Sequence, residues 1–287
     1  MLAILGGIIV FVSTLGGFML AGGKPLVLLH LSEFVVIFGV AGGVLIIASP
    51  AHLLTVIVAK IKSVLSGKSL HKSDYVQLLQ MMYEVTLFAR KQGVLQLEDH
   101  LLKPYESPLF ARHPEFLARP DAVKFLCDGM IPMTDGAAKP PQIAAMMTAQ
   151  IETRETEAEH PVHLLNLVGD SLPGIGIVAA VLGIINTMSS IADGPQAVGE
   201  HVAAALTGTL LGIWAAYGFV NPLANRIKFN DAGEMQYLLC IRNVIVAYAN
   251  GSAPKSSVEI AWRSLDSVVK PSKEELDELL KAQPAAV

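Results

Sequence analysis

The sequence predicts an all-α integral membrane protein, with four transmembrane helices and a large helical cytoplasmic region. Three observations predict it. The 287 residues are 52% hydrophobic and only 16% charged, against about 25% charged in soluble domains. The apolar excess is gathered into four uncharged stretches, each able to supply the ~20 residues that cross about 30 Å of hydrocarbon. Between the second and third of these lies a long polar stretch with helical periodicity.

The first stretch runs from Met1 to Gly23. It lacks a basic leading segment and a clear small-residue cleavage site, and its apolar core is longer than that of a secretion signal. It is therefore read as a retained helix over residues 2–20. The second runs from Phe34 to Ala59, between Glu33 and Lys60. The third runs from Ser171 to Ala192, between Asp170 and Asp193, and the fourth from His201 to Asn225, between Glu200 and Arg226. The chain then divides into a transmembrane hairpin (1–49), a cytoplasmic helical region (50–161), a second transmembrane hairpin (162–223) and a cytoplasmic helical tail (224–287). Four spans put both termini on one side. Lys60, Lys62, Lys68 and Lys72 follow span two with no acid among them, and Arg226 and Lys228 follow span four. This basic excess places the termini and the middle region in the cytoplasm.

In the middle region Val76, Leu79, Tyr83 and Leu87 recur at helical spacing behind the capping residues Ser73 and Asp74. Gly93 is the expected stop, with Arg90 and Lys91 in the last turn. Val94, Leu97 and Leu101 resume the pattern. Pro132, Pro140 and Pro141 are expected to break the chain between helices. A polar helix from about Gln142 to Glu159 leads towards span three. Ser272-Lys273-Glu274-Glu275 reads as a capping box before a short acidic helix. A net charge of −4 without a large basic face argues against nucleic acid as a partner. Cys127 and Cys240, far apart in polar stretches, argue against a disulfide framework.

The last two spans are rich in small residues. Ala204, Gly208, Gly212 and Ala216 recur every fourth residue, as do Gly176 with Ala180 and Ala179 with Gly183. Such spacing lets helix backbones approach closely in lipid, either inside one subunit or against a pore or partner helix. Helices that move ions carry a titratable group near the midplane. Here Glu33, Asp170, Glu200 and His201 all fall at the edges of the uncharged stretches. A proton-carrying carboxylate is therefore expected from another chain. Asn186, Thr187, Thr207 and Thr209 offer polar groups that do not titrate, and a membrane threonine commonly bonds to its own backbone. Pro173 starts span three and Pro222 ends span four, both near the cytoplasmic edge, where proline serves as punctuation. Gly174-x-Gly176-x-x-Ala179 has the letters of a dinucleotide fingerprint, but it lies inside an apolar run with no strand before it. His160 and His163, separated by Pro161, lack further ligands for a metal.

The stretch from Asp170 to Gly183, followed by Asn186-Thr187-Met188, closely resembles the MotA family. So does the stretch from Ala203 to Pro222, and so does the charged cytoplasmic stretch Ala89-Arg90-Lys91-Gln92-Gly93-Val94-Leu95-Gln96-Leu97-Glu98. The resemblance covers nearly the whole chain. It implies a stator subunit of the flagellar motor in the bacterial inner membrane, with five copies around two MotB chains held to the cell wall. It implies ion flow at a MotB aspartate, torque on the rotor protein FliG, and no cofactor. Pro173 and Pro222 match the family's functional prolines, and Thr209 matches a hydroxyl near the ion path. Arg90 and Glu98 match rotor-contacting charges, and Asp128 a minor one. A further acidic rotor-facing position is Gln150 in this chain. Sodium-type relatives tend to carry Thr where this chain has Ala180, so the resemblance points to protons. Arg90 and Glu98 also fit a local role, since a cation in a last turn and an acid at a helix start complement helix dipoles. An ExbB/TolQ-type proton-channel energiser is the nearest alternative, usually with three spans. A passive membrane scaffold is another. A membrane enzyme would need a nucleophile–base pair or metal ligands converging on one site, and the sequence shows none.

Overall fold

The computed structural model describes residues 2–134, 136–189, 192 and 194–281, and among these it is helical with no strand. Asp193 and the residues after Lys281 lie outside the described residues. In chain order the helices are α1 (Leu2–Leu20), α2 (Leu31–Ala48), α3 (Ala51–Leu65), α4 (Lys72–Gln92), α5 (Glu98–Leu102), α6 (Pro114–Leu117), α7 (Pro120–Thr134) and α8 (Pro140–Ser189). They continue with α9 (Pro195–Ala215), α10 (Asn221–Ala249), α11 (Pro254–Arg263) and α12 (Lys273–Lys281). A five-residue π turn, Ala216–Val220, joins α9 to α10. Four helical stretches are long and apolar enough to cross a membrane: α1, α2, the apolar part of α8, and α9 as it runs on into α10.

The chain forms two compact units, residues 1–68 with 157–230 and residues 69–156 with 231–287. The first unit holds all four apolar stretches. Ile37 and Ala41 of α2 pack with Leu172, Ile175 and Ala179 of α8 and with Leu211 and Ala215 of α9. None of the residues of α1 is buried, so its apolar surface is available to lipid; ring contacts such as Phe11 with Trp214, centroids 5.5 Å apart, attach it to the rest.

The uncharged run from Phe34 to Ala59 is not one helix. Helix α2 ends at Ala48, and α3 starts after Pro50, whose ψ of 144° is extended. Proline disfavours helical geometry in the residue before it, and Ser49 is accordingly extended. Helix α3 then buries Ile57 and Val64 against Val162, Leu164, Leu165, Ala224 and Ile227.

The opposite outcome occurs further along. The expected polar helix and span three are one helix of 50 residues, with Pro161 and Pro173 inside it. Pro173 is thus not a helix start. A mid-helix proline removes one backbone hydrogen bond and costs about 3 kcal/mol; the helix nonetheless continues through Pro173, with Leu164, Leu165, Leu172 and Ile175 around it buried in close packing of the kind that joins helices in a membrane. Pro132 likewise sits within the last turn of α7 rather than between helices.

The second unit is built around α4. Its buried face is Tyr75, Leu78, Leu79, Met82, Val85 and Ala89; of the predicted stripe only Leu79 is fully buried, while Val76, Tyr83 and Leu87 flank it. The helix starts one residue before the expected cap. His71 is the N-cap, and its backbone N–H donates to Asp74 at 2.7 Å. Gly93 closes the helix at φ 96°, a conformation that favours glycine. The capping box at the tail is as expected: the Ser272 N–H donates to Glu275 at 2.6 Å, and the Glu275 N–H donates to the Ser272 hydroxyl at 3.1 Å. Both cysteines are buried and free, in this unit's core rather than in polar surroundings. Burial pushes the Cys127 and Cys240 thiols up to about 12.

Candidate functional site

In the membrane unit the small residues of α8 and α9 make backbone-to-backbone contact. A Cβ placed on Gly212 would lie 2.5 Å from the Leu172 carbonyl oxygen, and one on Gly176 would lie 2.9 Å from the Gly208 carbonyl oxygen. At the far end of the same seam a Cβ on Gly183 would lie 2.9 Å from that of Ala205. The every-fourth-residue spacing therefore does serve packing within one chain. Ala180 and Thr209 sit beside this seam and are half-buried. The Thr187 and Thr207 hydroxyls donate back to the Gly183 and Ala203 carbonyls at 2.8 and 2.9 Å. The Thr209 hydroxyl makes no hydrogen bond among the described residues, so it alone of the three retains its capacity to bind something else.

At the other end of the seam lie the two prolines. Proline has no N–H, so Pro173 leaves the Gly169 carbonyl without its α-helical donor. The Asn221 side chain packs directly onto the Gly169 Cα, where any Cβ would collide with it. Asn221 follows the π turn and precedes Pro222, and its amide donates to Asp170 at 3.5 Å, while its Oδ1 is buried with no donor. Pro173, Gly169, Asp170, Asn221 and Pro222 therefore form one local joint between two helices that are both irregular there. π turns of this kind are frequent at functional sites.

One group in this unit escaped sequence reasoning. Glu33, counted as an edge residue, is only 5% exposed. Its Oε2 has no hydrogen-bond partner and lies where a Gly208 side chain would begin. The cause is folding at long range: the 3-10 turn Pro25–Leu28 and the first turn of α2 both pack on α9. Counting charges along the chain does not reveal such a placement, although the glycine at 208 is the trace it leaves.

In the second unit Arg90 is exposed in the last turn of α4, and Glu98 opens α5 half-exposed. Neither enters an ion pair among the described residues. The Arg90 charge is felt at Tyr248: burial raises that phenol's pKa and the guanidinium opposes the rise. Phe88 stacks edge-on to His100 at 5.0 Å, which holds α4 and α5 together around Gly93. Asp128 is exposed on α7 and lines one small cleft with Gln150 of α8. The four positions thus form two pairs, one at the α4–α5 corner and one between α7 and α8.

Residues 4–93 match the family described as "Motility protein A N-terminal", and residues 121–238 match the "MotA/TolQ/ExbB proton channel family". The chain is 35% identical over 283 residues to a "Motility protein A" of Salmonella typhimurium, covering 98% of this chain and 96% of the relative. The chain belongs to the motility protein A family. Among solved structures, that of "C. jejuni MotAB" matches with a TM-score of 0.77 at 24% identity, covering 92% of this chain and 95% of that one. The "flagellar MotAB stator complex from Bacillus subtilis" matches with a TM-score of 0.76 at 23% identity, covering 94% and 98%. These two share the fold of this motility protein A family member. Pro173, Pro222, Thr209 and the Arg90–Glu98 stretch all lie within the portion matched to the Salmonella relative's near-full length.

Proposed function

We propose that the chain is a stator subunit of the bacterial flagellar motor, a multi-pass inner-membrane protein with both termini in the cytoplasm. It assembles as several copies, five by resemblance, around a pair of MotB-type chains. With them it couples proton flow to torque on FliG. The observation that carries this reading is the match over 98% of this chain to 96% of a motility protein A, which covers both the membrane unit and the charged cytoplasmic stretch. The free Thr209 hydroxyl and the irregular joint at Pro173 and Pro222 support it. Ala180 leaves Thr209 as the hydroxyl beside the seam that is not bonded to its own helix, too few oxygen ligands for a dehydrated sodium ion, so the ion is a proton.

Vesicles carrying the chain with its partner are expected to take up protons, and vesicles carrying the chain alone are expected to take up few. Swimming speed is expected to hold steady when external sodium changes at constant proton-motive force. Equal flux without the partner, or speed that follows sodium, would contradict the reading.

The rotor surface gives a second test. Exposed ion pairs contribute only about 0.2–1 kcal/mol each, which suits contacts made and released at every step. Arg90→Glu is expected to cut motility several-fold with stator abundance unchanged. A compensating charge reversal on FliG should restore part of it. Loss of abundance that no rotor change rescues would instead assign Arg90 to local helix capping.

A further inference from the structure

We propose that Glu33 is a proton-binding carboxylate of the ion path, borne by this chain itself and acting in series with the partner's carboxylate. The proposal rests on the stator reading above and deepens it. Glu33 is 5% exposed, and its Oε2 has no partner. A buried carboxylate without a hydrogen bond is costly, and in a membrane span such a group marks a functional site. The side chain is aimed at the α8–α9 seam: a Cβ on Gly208 would lie 2.5 Å from Oε2, and the same Cβ would lie 3.2 Å from the Ala179 Cβ and 3.4 Å from the Ala180 nitrogen. Glycine at 208 is therefore what makes room for the carboxylate.

Its surroundings suit a proton better than a fixed ion pair. Its Oε2 meets Gly208, and that glycine is flanked by Ala179 and Ala180, none of which titrates or bonds through its side chain. The neighbouring Thr207 hydroxyl is committed to the Ala203 carbonyl. The titratable neighbour of Glu33 among the described residues is His30, one turn before it, whose Nδ1 is also buried without a partner. Among the described residues no Lys or Arg pairs with Glu33, and the cation that can form beside it is the His30 ring when protonated. Gly208 lies two turns inside the uncharged run that begins at His201, about 10 Å along the helix. With the termini in the cytoplasm, that depth is measured from the outer surface. Glu33 thus stands at the level of Gly208, one residue to the outer side of Thr209 along α9.

The chemistry is a simple transfer. The carboxylate takes one proton from a hydronium ion of the outer water, leaving water and the neutral acid. The acid then gives that proton to the partner's carboxylate and returns to the anion, with no other bond made or broken. Glu33 is therefore an acceptor and donor within the path, while Gly208 is the residue that positions it.

The test uses the full complex with its MotB-type partner in proteoliposomes, with proton uptake followed as external pH is varied. Glu33→Gln is expected to lower uptake at least several-fold and to flatten its dependence on external pH, with assembly unchanged. Glu33→Asp should lie between Glu33→Gln and the wild type. Uptake equal to wild type at every external pH overturns the proposal. If the wild-type complex itself takes up no protons, the stator reading fails, which is a different result. If Glu33→Gln does not assemble, infrared spectroscopy decides, using a complex whose partner lacks its own membrane carboxylate. A protonated-carboxyl band that titrates with external pH and moves in Glu33→Asp is expected. Absence of such a band, or a band that does not titrate, overturns the assignment.

Discussion

Replacing Gly212 with alanine is expected to remove most of the protein from the membrane, while Gly174→Ala, two residues before Gly176 in the same family stretch, leaves it in place. The contrast comes from what a new methyl group would meet. At Gly212 it would lie 2.5 Å from the Leu172 carbonyl oxygen and 2.9 Å from the Gly176 Cα. Both are backbone atoms, so no side chain can turn aside and the two helices must separate. Overpacking typically costs about 1–3 kcal/mol, a large share of a stability of about 5–15 kcal/mol. At Gly174 nothing lies within 4 Å. Membrane abundance and thermal unfolding in detergent should therefore fall sharply for the first variant only. Similar values for both would mean that the α8–α9 seam does not hold the hairpin together.

The prolines are expected to behave in the reverse sense, with stability kept and rotation lost. Pro173→Ala restores a backbone donor for the Gly169 carbonyl within α8, and on helix propensity alone this favours the helix by up to about 3 kcal/mol. Pro222 is exposed and follows Asn221 directly after the π turn, so alanine there removes little packing. If the joint formed with Gly169 and Asn221 couples proton movement to the cytoplasmic helices, both variants should assemble at normal abundance and leave cells unable to swim. Normal motility in both would return these prolines to helix punctuation. Loss of motility together with loss of protein would mean that their role is structural.

Features governed by neighbouring residues were legible in the sequence. The capping box at Ser272 and Glu275 and the stop at Gly93 depend on a few adjacent positions, and the structure has both. The apolar stretches were legible because crossing a membrane is a matter of length and charge. Proline was the weak signal. Pro50 did break a helix, whereas Pro161 and Pro173 did not, because the cost of a proline is local and the packing around it comes from distant residues. The same reason hid Glu33 and the cysteines. A carboxylate at the edge of a run in sequence stands deep beside α9 in space, and thiols in polar stretches lie in the core. Of the candidate site, Pro173, Pro222, Thr209 and Ala180 gather along one seam, while Arg90, Glu98 and Asp128 are surface groups in a separate unit. Composition and periodicity could not distinguish those three from ordinary surface charges, and their functional role rests on the resemblance.

The π turn at Ala216–Val220 amounts to a slip of phase. Ala204, Gly208, Gly212 and Ala216 repeat every four residues, and an undisturbed continuation would bring Val220 next into line. The wider turn holds one residue more, so Val220 and Asn221 both come up against Gly169, with the Asn221 side-chain amide the nearer of the two. An apolar stripe is thereby joined at its end by a polar group, Asn221, beside the apolar Val220. The inserted residue also frees the two stretches from sharing a common face: the part of the helix before it can be tuned for close approach to α8, and the part after it for other neighbours, because a substitution that improves one no longer fixes what the other presents.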